Sequence, residues 1–209
     1  MSADHALDIG ALTDRQMEIV QAARRILEAE GPTAVTMRRV AAELGIRAPS
    51  LYKHLSDKGV IEGLLQHQAM IEFGEAVGGS GGDPRSVAAA YRAWALANPH
   101  LYELAARRPV RRDIVGASEA FAAEPLVRAM DGDPDKARAF FGVAHGLVDL
   151  ELNNHFPPDA DIEATWHVAV DALAASAPAA PPRRRRSTAE TTVGAQSRSS
   201  KRQTGPTPR

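Results

Sequence analysis

The sequence predicts an all-α protein of about nine helices, and three observations carry that expectation. Apolar side chains recur at helical spacing along most of the chain, Ser, Thr or Asp opens those runs while Gly or Pro closes them, and no stretch alternates with the period of a strand. Thr13 and Gln16 have the spacing of a capping box, and Ile19, Ala22, Ala23, Ile26 and Leu27 follow in step until Gly31-Pro32. A second, short helix starts from Thr36 as N-cap, carries Met37, Val40, Ala41 and Leu44 on one face and ends at Gly45. Residues 48–55 suit a third short helix with Pro49 in its first turn. Ser56 or Asp57 then caps a fourth, with Val60, Ile61, Leu64, Leu65 and Ile71 on one stripe.

Gly78-Gly79-Ser80-Gly81-Gly82 reads as a loop. Val87, Ala90, Tyr91 and Trp94 mark a fifth helix that stops at Asn98-Pro99, and Leu101, Leu104 and Ala105 a short sixth ending before Pro109. Residues 114–130 predict a seventh, bent or broken at Pro125. Asp133-Pro134 opens a helix to about Asn154 that is apolar on more than one face and therefore has to be covered on both sides. Asp159 or Asp161 caps the last, with Ile162, Thr165, Trp166, Ala169 and Leu173 in step.

Composition narrows the classes. With 44% hydrophobic and 24% charged residues the chain is ordinary for a globular protein and too polar for a membrane span. Its start, MSADHALDIG, lacks the basic and apolar runs of a secretory signal, so a cytoplasmic address without membrane contact is expected. The absence of cysteine excludes disulfides, Cys-ligated zinc and thiol chemistry. The formal charge of -1 conceals an asymmetry: residues 176–209 hold eight Arg or Lys and one Glu, a balance of +7, which leaves -8 for the rest. That tail, rich in Pro, Ala, Arg, Ser and Thr, is expected to be disordered, and its Arg183-Arg184-Arg185-Arg186 run suits either non-specific DNA contact or a solubilising role.

Two short helices joined by a tight Gly-containing turn make a helix-turn-helix, here over residues 36–55. Arg47, Ser50, Tyr52, Lys53 and His54 crowd the second helix and its approach with the donor types that bond phosphates and base edges, while Leu51 and Leu55 can face inward. From Pro32 to Lys58, five Arg or Lys stand against Glu43 and Asp57, a local +3 on an acidic body. The competing reading makes Tyr52 a half-buried aromatic and the cations a solvated face; the cluster as a whole favours DNA.

At these residues the sequence resembles the tetracycline-repressor (TetR) family of regulators. The pattern is carried by Thr36-Met37-Arg38-Arg39-Val40-Ala41-Ala42-Glu43-Leu44-Gly45-Ile46, by Leu51-Tyr52-Lys53-His54-Leu55 and by Ser56-Asp57-Lys58, and it spans residues 13–65. The resemblance implies a recognition helix at 49–55, with Tyr52, Lys53 and His54 near DNA and Lys58 on a phosphate. The full DNA-facing set is then Thr36, Arg47, Ala48, Pro49, Ser50, Tyr52, Lys53, His54 and Lys58. The family usually has Phe where Leu55 stands and an acidic residue where Gly59 stands, which implies a looser start to the fourth helix. Residues 91–102 (YRAWALANPHLY) and 140–147 (FFGVAHGL) resemble the family's WHG-type C-terminal domain, with Phe141 in the place of its Trp. This implies a ligand-binding and dimerising role.

The expected organisation is a disordered arm over 1–12, a DNA-binding domain over 13–58, a ligand-binding and dimerisation domain over 59–175 and a basic tail over 176–209. Among the aromatics Trp94, Tyr102, Phe121, Phe140, Phe141 and Trp166, any of which can instead be plain core, the pocket candidates are Trp94, Tyr102, Phe121 and Phe141, with His145. The helices over 137–154 and 161–174 are expected to pair with twofold mates as a four-helix bundle through Val143, Leu147, Val148, Leu150, Trp166, Val170 and Leu173. The expected partners are a palindromic double-stranded operator, an unidentified small-molecule effector and a second copy of the chain.

A metalloenzyme and a protein-interaction module without DNA binding are the alternatives. His145 and Asp149, His167 and Asp171, Glu151 and His155, and Glu163 and His167 stand four apart, as a helical metal pair does. Such pairs arise easily on solvated helices, and no His has Asp or Glu three residues before it. No phosphate loop or nucleophile elbow is present, so neither a cofactor nor catalysis is expected.

Overall fold

The computed structural model describes residues 12–175, which form ten helices and, within that range, no strand. The expected arm, apart from Leu12, and the basic tail with its 183–186 run lie outside the described residues.

The first helix, α1 (Asp14–Glu30), begins at a reciprocal capping box between Thr13 and Gln16. The second, α2 (Met37–Glu43), is capped by Thr36 and ends in a Schellman turn: Gly45 at φ 66° lets its own N–H reach Ala42 O and that of Ile46 reach Ala41 O. The third, α3 (Ala48–Leu51), is shorter than expected. Residues 52–54 form a turn in which the amides of His54 and Leu55 both donate to Leu51 O, at 2.9 and 3.0 Å. Asp57 caps α4 (Lys58–Gly78), the longest helix.

Asp83 caps α5 (Pro84–Ala97), and α6 (Pro99–Arg107) follows at once. The expected seventh helix is two, α7 (Arg112–Val115) and α8 (Ser118–Ala129). The break falls at Gly116, whose φ of 53° is open to glycine and costly for other residues, and not at Pro125. Pro125 stays inside α8 although it offers no N–H to the Phe121 carbonyl, because α8 is held along its length against α4. Asp133 caps α9 (Pro134–Leu152), and Asp161 accepts the Ala164 amide at the start of α10 (Ile162–Ala175).

Two hydrophobic cores meet along α4. The first joins α1 to α3 with Ile61, Leu64, Leu65 and Ala69 of α4 and takes in Leu101 and Leu104 of α6 and Ile114 of α7. The second joins Phe73 and Val77 of α4 to α5, α8, α9 and α10. Polar clamps tie α6 to the first core. Gln66 on α4, 1% exposed, donates to Leu104 O and Pro109 O and accepts the Arg111 amide. His100 Nδ1 lies 3.0 Å from Leu27 O at the end of α1. In the second core, Glu151 takes three hydrogen bonds from Arg92 and a fourth from Trp166 Nε1 at 2.7 Å, joining α5, α9 and α10.

Candidate nucleic-acid interface and ligand cavity

Leu51 and Leu55 are buried, and between them Tyr52, Lys53 and His54 stand exposed, Tyr52 at 54%. Burying two leucines contributes roughly 1.5–3 kcal/mol each, so the polar tip is anchored at both ends. Gln16 of α1 adds a hydrogen bond to His54 O at 3.0 Å. The tip is therefore a stiff projection rather than a mobile loop.

The charges around it sort by pairing. Arg39 is tied to Glu30 and Glu43, and these bonds raise its pKa further. Lys58 pairs with Glu62 at 3.1 Å. Arg38, Arg47 and Lys53 have no ion pair among the described residues and are exposed. Arg38, in the first turn of α2, was not among the expected contacts; Glu30, a residue of another helix, engages its neighbour Arg39. Thr36 holds the start of α2 by accepting the Arg39 amide at 3.1 Å. Ala48 and Ser50 are half-buried and Pro49 is exposed. The room left by Gly59 is taken up by a side chain from the α6–α7 loop: a Cβ there would stand 2.7 Å from Arg111 Nη1.

A cavity of about 460 Å³ opens between α4, α5, α6, α8 and α9, lined by Phe73, Tyr91, Trp94, Tyr102 and Phe141 among others. Trp94, Tyr102 and Phe141 thus meet there, and Tyr91 and Phe73 join them. Phe121 does not: its ring lies across Gly74 of α4, where an added Cβ would stand 2.6 Å from it. His145 is set one bond back, with Nδ1 2.6 Å from the Tyr102 hydroxyl and its ring stacked on Phe141. Burial, and then the charge of Arg107, hold its imidazole below its ordinary pKa, so it is uncharged at neutral pH. Burial pushes the Tyr102 hydroxyl up to about 12 and that of Tyr91 higher still. Both remain protonated. Phe140 and Trp166 belong to the closed core.

The two faces of α9 differ from the expected assignment. Val148, Trp166 and Val170 are buried in the protomer's own second core and Leu173 packs against it, so these residues face inward. Val143 and Leu150 are exposed at 39% and 38% on the outward stripe of α9, whereas half-buried Leu147 packs, like Leu173, against the second core. Val168 on α10 is 72% exposed. Three of the four carboxylates in the four-apart pairs have other partners: Asp149 pairs with Arg107, Asp171 with Arg85 and Glu151 with Arg92.

Two family profiles match the chain. "Bacterial regulatory proteins, tetR family" matches residues 19–61, and "Tetracyclin repressor-like, C-terminal domain" matches residues 85–173. Similar solved structures include the multidrug binding protein EbrR complexed with imidazole, at 23% identity and TM-score 0.60, covering 77% of this chain and 95% of that one. A TetR-family member from Streptomyces coelicolor A3 is 24% identical, with TM-score 0.57 and coverage of 77% and 98%. A TetR variant from Acinetobacter baumannii AYE in complex with minocycline is 23% identical, with TM-score 0.51 and coverage of 79% and 96%. At these identities the likeness is one of fold. No curated protein matches the chain in sequence.

Proposed function

Because this chain belongs to the tetracycline-repressor family of bacterial regulators, we propose that it represses transcription by holding a palindromic operator as a homodimer and lets go when a small molecule fills its cavity. The observation that carries the reading is the exposed Tyr52-Lys53-His54 tip fixed between two buried leucines, with Arg38 and Arg47, which have no ion pair among the described residues, nearby. Tyr52 and His54 meet base edges or the sugar-phosphate wall, Lys53 meets a phosphate, and Thr36, Arg47, Ala48, Pro49, Ser50 and Lys58 frame them. The outward apolar stripe of α9 and exposed Val168 of α10 support a twofold bundle between copies, which sets two tips apart. The C-terminal part is of the WHG type in this reading. Regulators of this family are generally not enzymes. No described helix is long and apolar enough to cross a membrane, in keeping with a cytoplasmic site of action.

Release follows from the clamps. Tyr102, Ala105 and Ala106 of α6 line the cavity, while His100 and Leu104 of the same helix are bonded to α1 and α4. A ligand that fits better when α6 is displaced shifts the population toward a form in which α4 and the tip have moved.

Genomic fragments selected on the purified protein should carry a palindrome with half-sites ~34 Å or somewhat more apart. Recovery of unrelated sequences with no shared symmetry would overturn the reading. Tyr52→Ala should weaken operator binding about tenfold or more with unchanged thermal stability, since the ring is exposed. Lys53→Ala should reduce the slope of log affinity against log salt by about one unit; an unaltered slope takes Lys53 off the phosphate.

A further inference from the structure

We propose that the effector is an uncharged, ring-bearing apolar molecule, and that the cavity wall discriminates against ions of either sign. The inference rests on the reading of this cavity as the effector site. Its volume of about 460 Å³ lies within the range of small-molecule pockets. Its rings meet edge to face: Phe73 and Tyr91 at 5.1 Å and 83°, Phe73 and Trp94 at 5.3 Å and 79°, Trp94 and Tyr102 at 6.5 Å and 70°. Such contacts set the positive edge of one ring on the negative face of the next. A flat apolar guest extends the same edge-to-face array.

The charges around the cavity lead to the same conclusion. Glu119, Arg112 and Arg138 are the charged residues that line it. Glu119 takes two hydrogen bonds from Arg112, at 3.1 and 3.0 Å. Arg138 pairs with Asp135. Both arginine side chains are 73% exposed, so they stand at the mouth in water. A cation would have to break the Glu119 pair to find a carboxylate, and an anion would have to strip a guanidinium of its own. The inner polar groups are engaged with one another: the Tyr91 hydroxyl lies 3.3 Å from that of Tyr102, which meets His145 at 2.6 Å. Among the described residues every buried side-chain nitrogen and oxygen has a partner. The wall offers no uncompensated charge, and an ion moved into such surroundings loses its hydration without replacement.

Three naphthalene probes of one ring size separate the possibilities: 2-naphthol, 2-naphthoate and 2-naphthylmethylammonium, titrated calorimetrically into the full chain at neutral pH. 2-Naphthol should bind, and both ions should bind at least about tenfold more weakly. Ala122→Phe, which narrows the cavity from α8, should weaken 2-naphthol about tenfold or more, with circular dichroism reporting that the variant is folded. Ala106→Phe narrows it from α6 and serves should the first variant unfold. If an ion binds as tightly as 2-naphthol and is lost on narrowing, the site stands and the proposed class is overturned. If no probe binds, or narrowing leaves 2-naphthol unaffected, the effector site itself is misplaced.

Discussion

Replacing Val143 and Leu150 together by Glu is expected to give a folded monomer whose operator affinity has fallen more than about a hundredfold, because two linked half-site contacts become one. The two side chains lie on the outward stripe of α9 and take no part in either core, so in the proposed dimer the substitution removes an apolar contact between copies and leaves the protomer intact. Four introduced carboxylates would face one another across the twofold axis, and like charges at a desolvated interface oppose association. Sedimentation equilibrium at micromolar concentration reads the assembly state, and circular dichroism checks the fold. Val148→Glu provides the contrast. Val148 is fully buried in the protomer, and a carboxylate there should unfold the chain rather than split a dimer. A double variant that sediments as a dimer and still holds operator would place the contact between copies elsewhere.

The second large effect concerns Glu151. Its side chain is 7% exposed and binds Arg92, 31% exposed, at 2.7 Å together with the indole N–H of Trp166. Glu151→Ala strands a guanidinium and an indole donor in the second core. Breaking a buried pair from one side costs about 3–5 kcal/mol, and the partial exposure of Arg92 places this site near the lower figure. For a chain of this size that corresponds to a fall in Tm of roughly 6–12 °C, measured at fixed protomer concentration so that association does not contribute. Glu151→Gln keeps an acceptor for Trp166 and should lose less. A Tm within a degree or two of the parent would mean that the three helices are joined by apolar packing alone.

Most helix starts were legible because caps are local: Thr13, Thr36, Asp57, Asp133 and Asp161 each sit within three residues of the amide they satisfy. The break at Gly116 was obscured by a stronger breaker nearby; Pro125 sits inside α8, which is packed against α4, α5 and α9, and a local reading does not see that packing. The phase of α9 was not legible at all. A helix apolar on two faces says that both are covered but not which cover is its own chain, and so Val148 was grouped with Val143 although they point in different directions. The tip at 52–54 could be found because donors flanked by leucines are adjacent in sequence. The Tyr91–Tyr102–His145 chain could not, since its members are brought together from α5, α6 and α9 only by folding.

The sharing of α4 between the two cores bears on how reading heads could be exchanged among such proteins. A hybrid sensor spliced at residue 58 would divide Ile61, Leu64 and Leu65 from the partners they were shaped for and leave a foreign surface under the graft. A seam after Ala69 keeps that half of α4 with its own head, but Leu101, Leu104 and Ile114 must travel too, because the donor head is completed by side chains that arrive much later in the chain. Transplanting specificity here means carrying three separate stretches of polypeptide, not one.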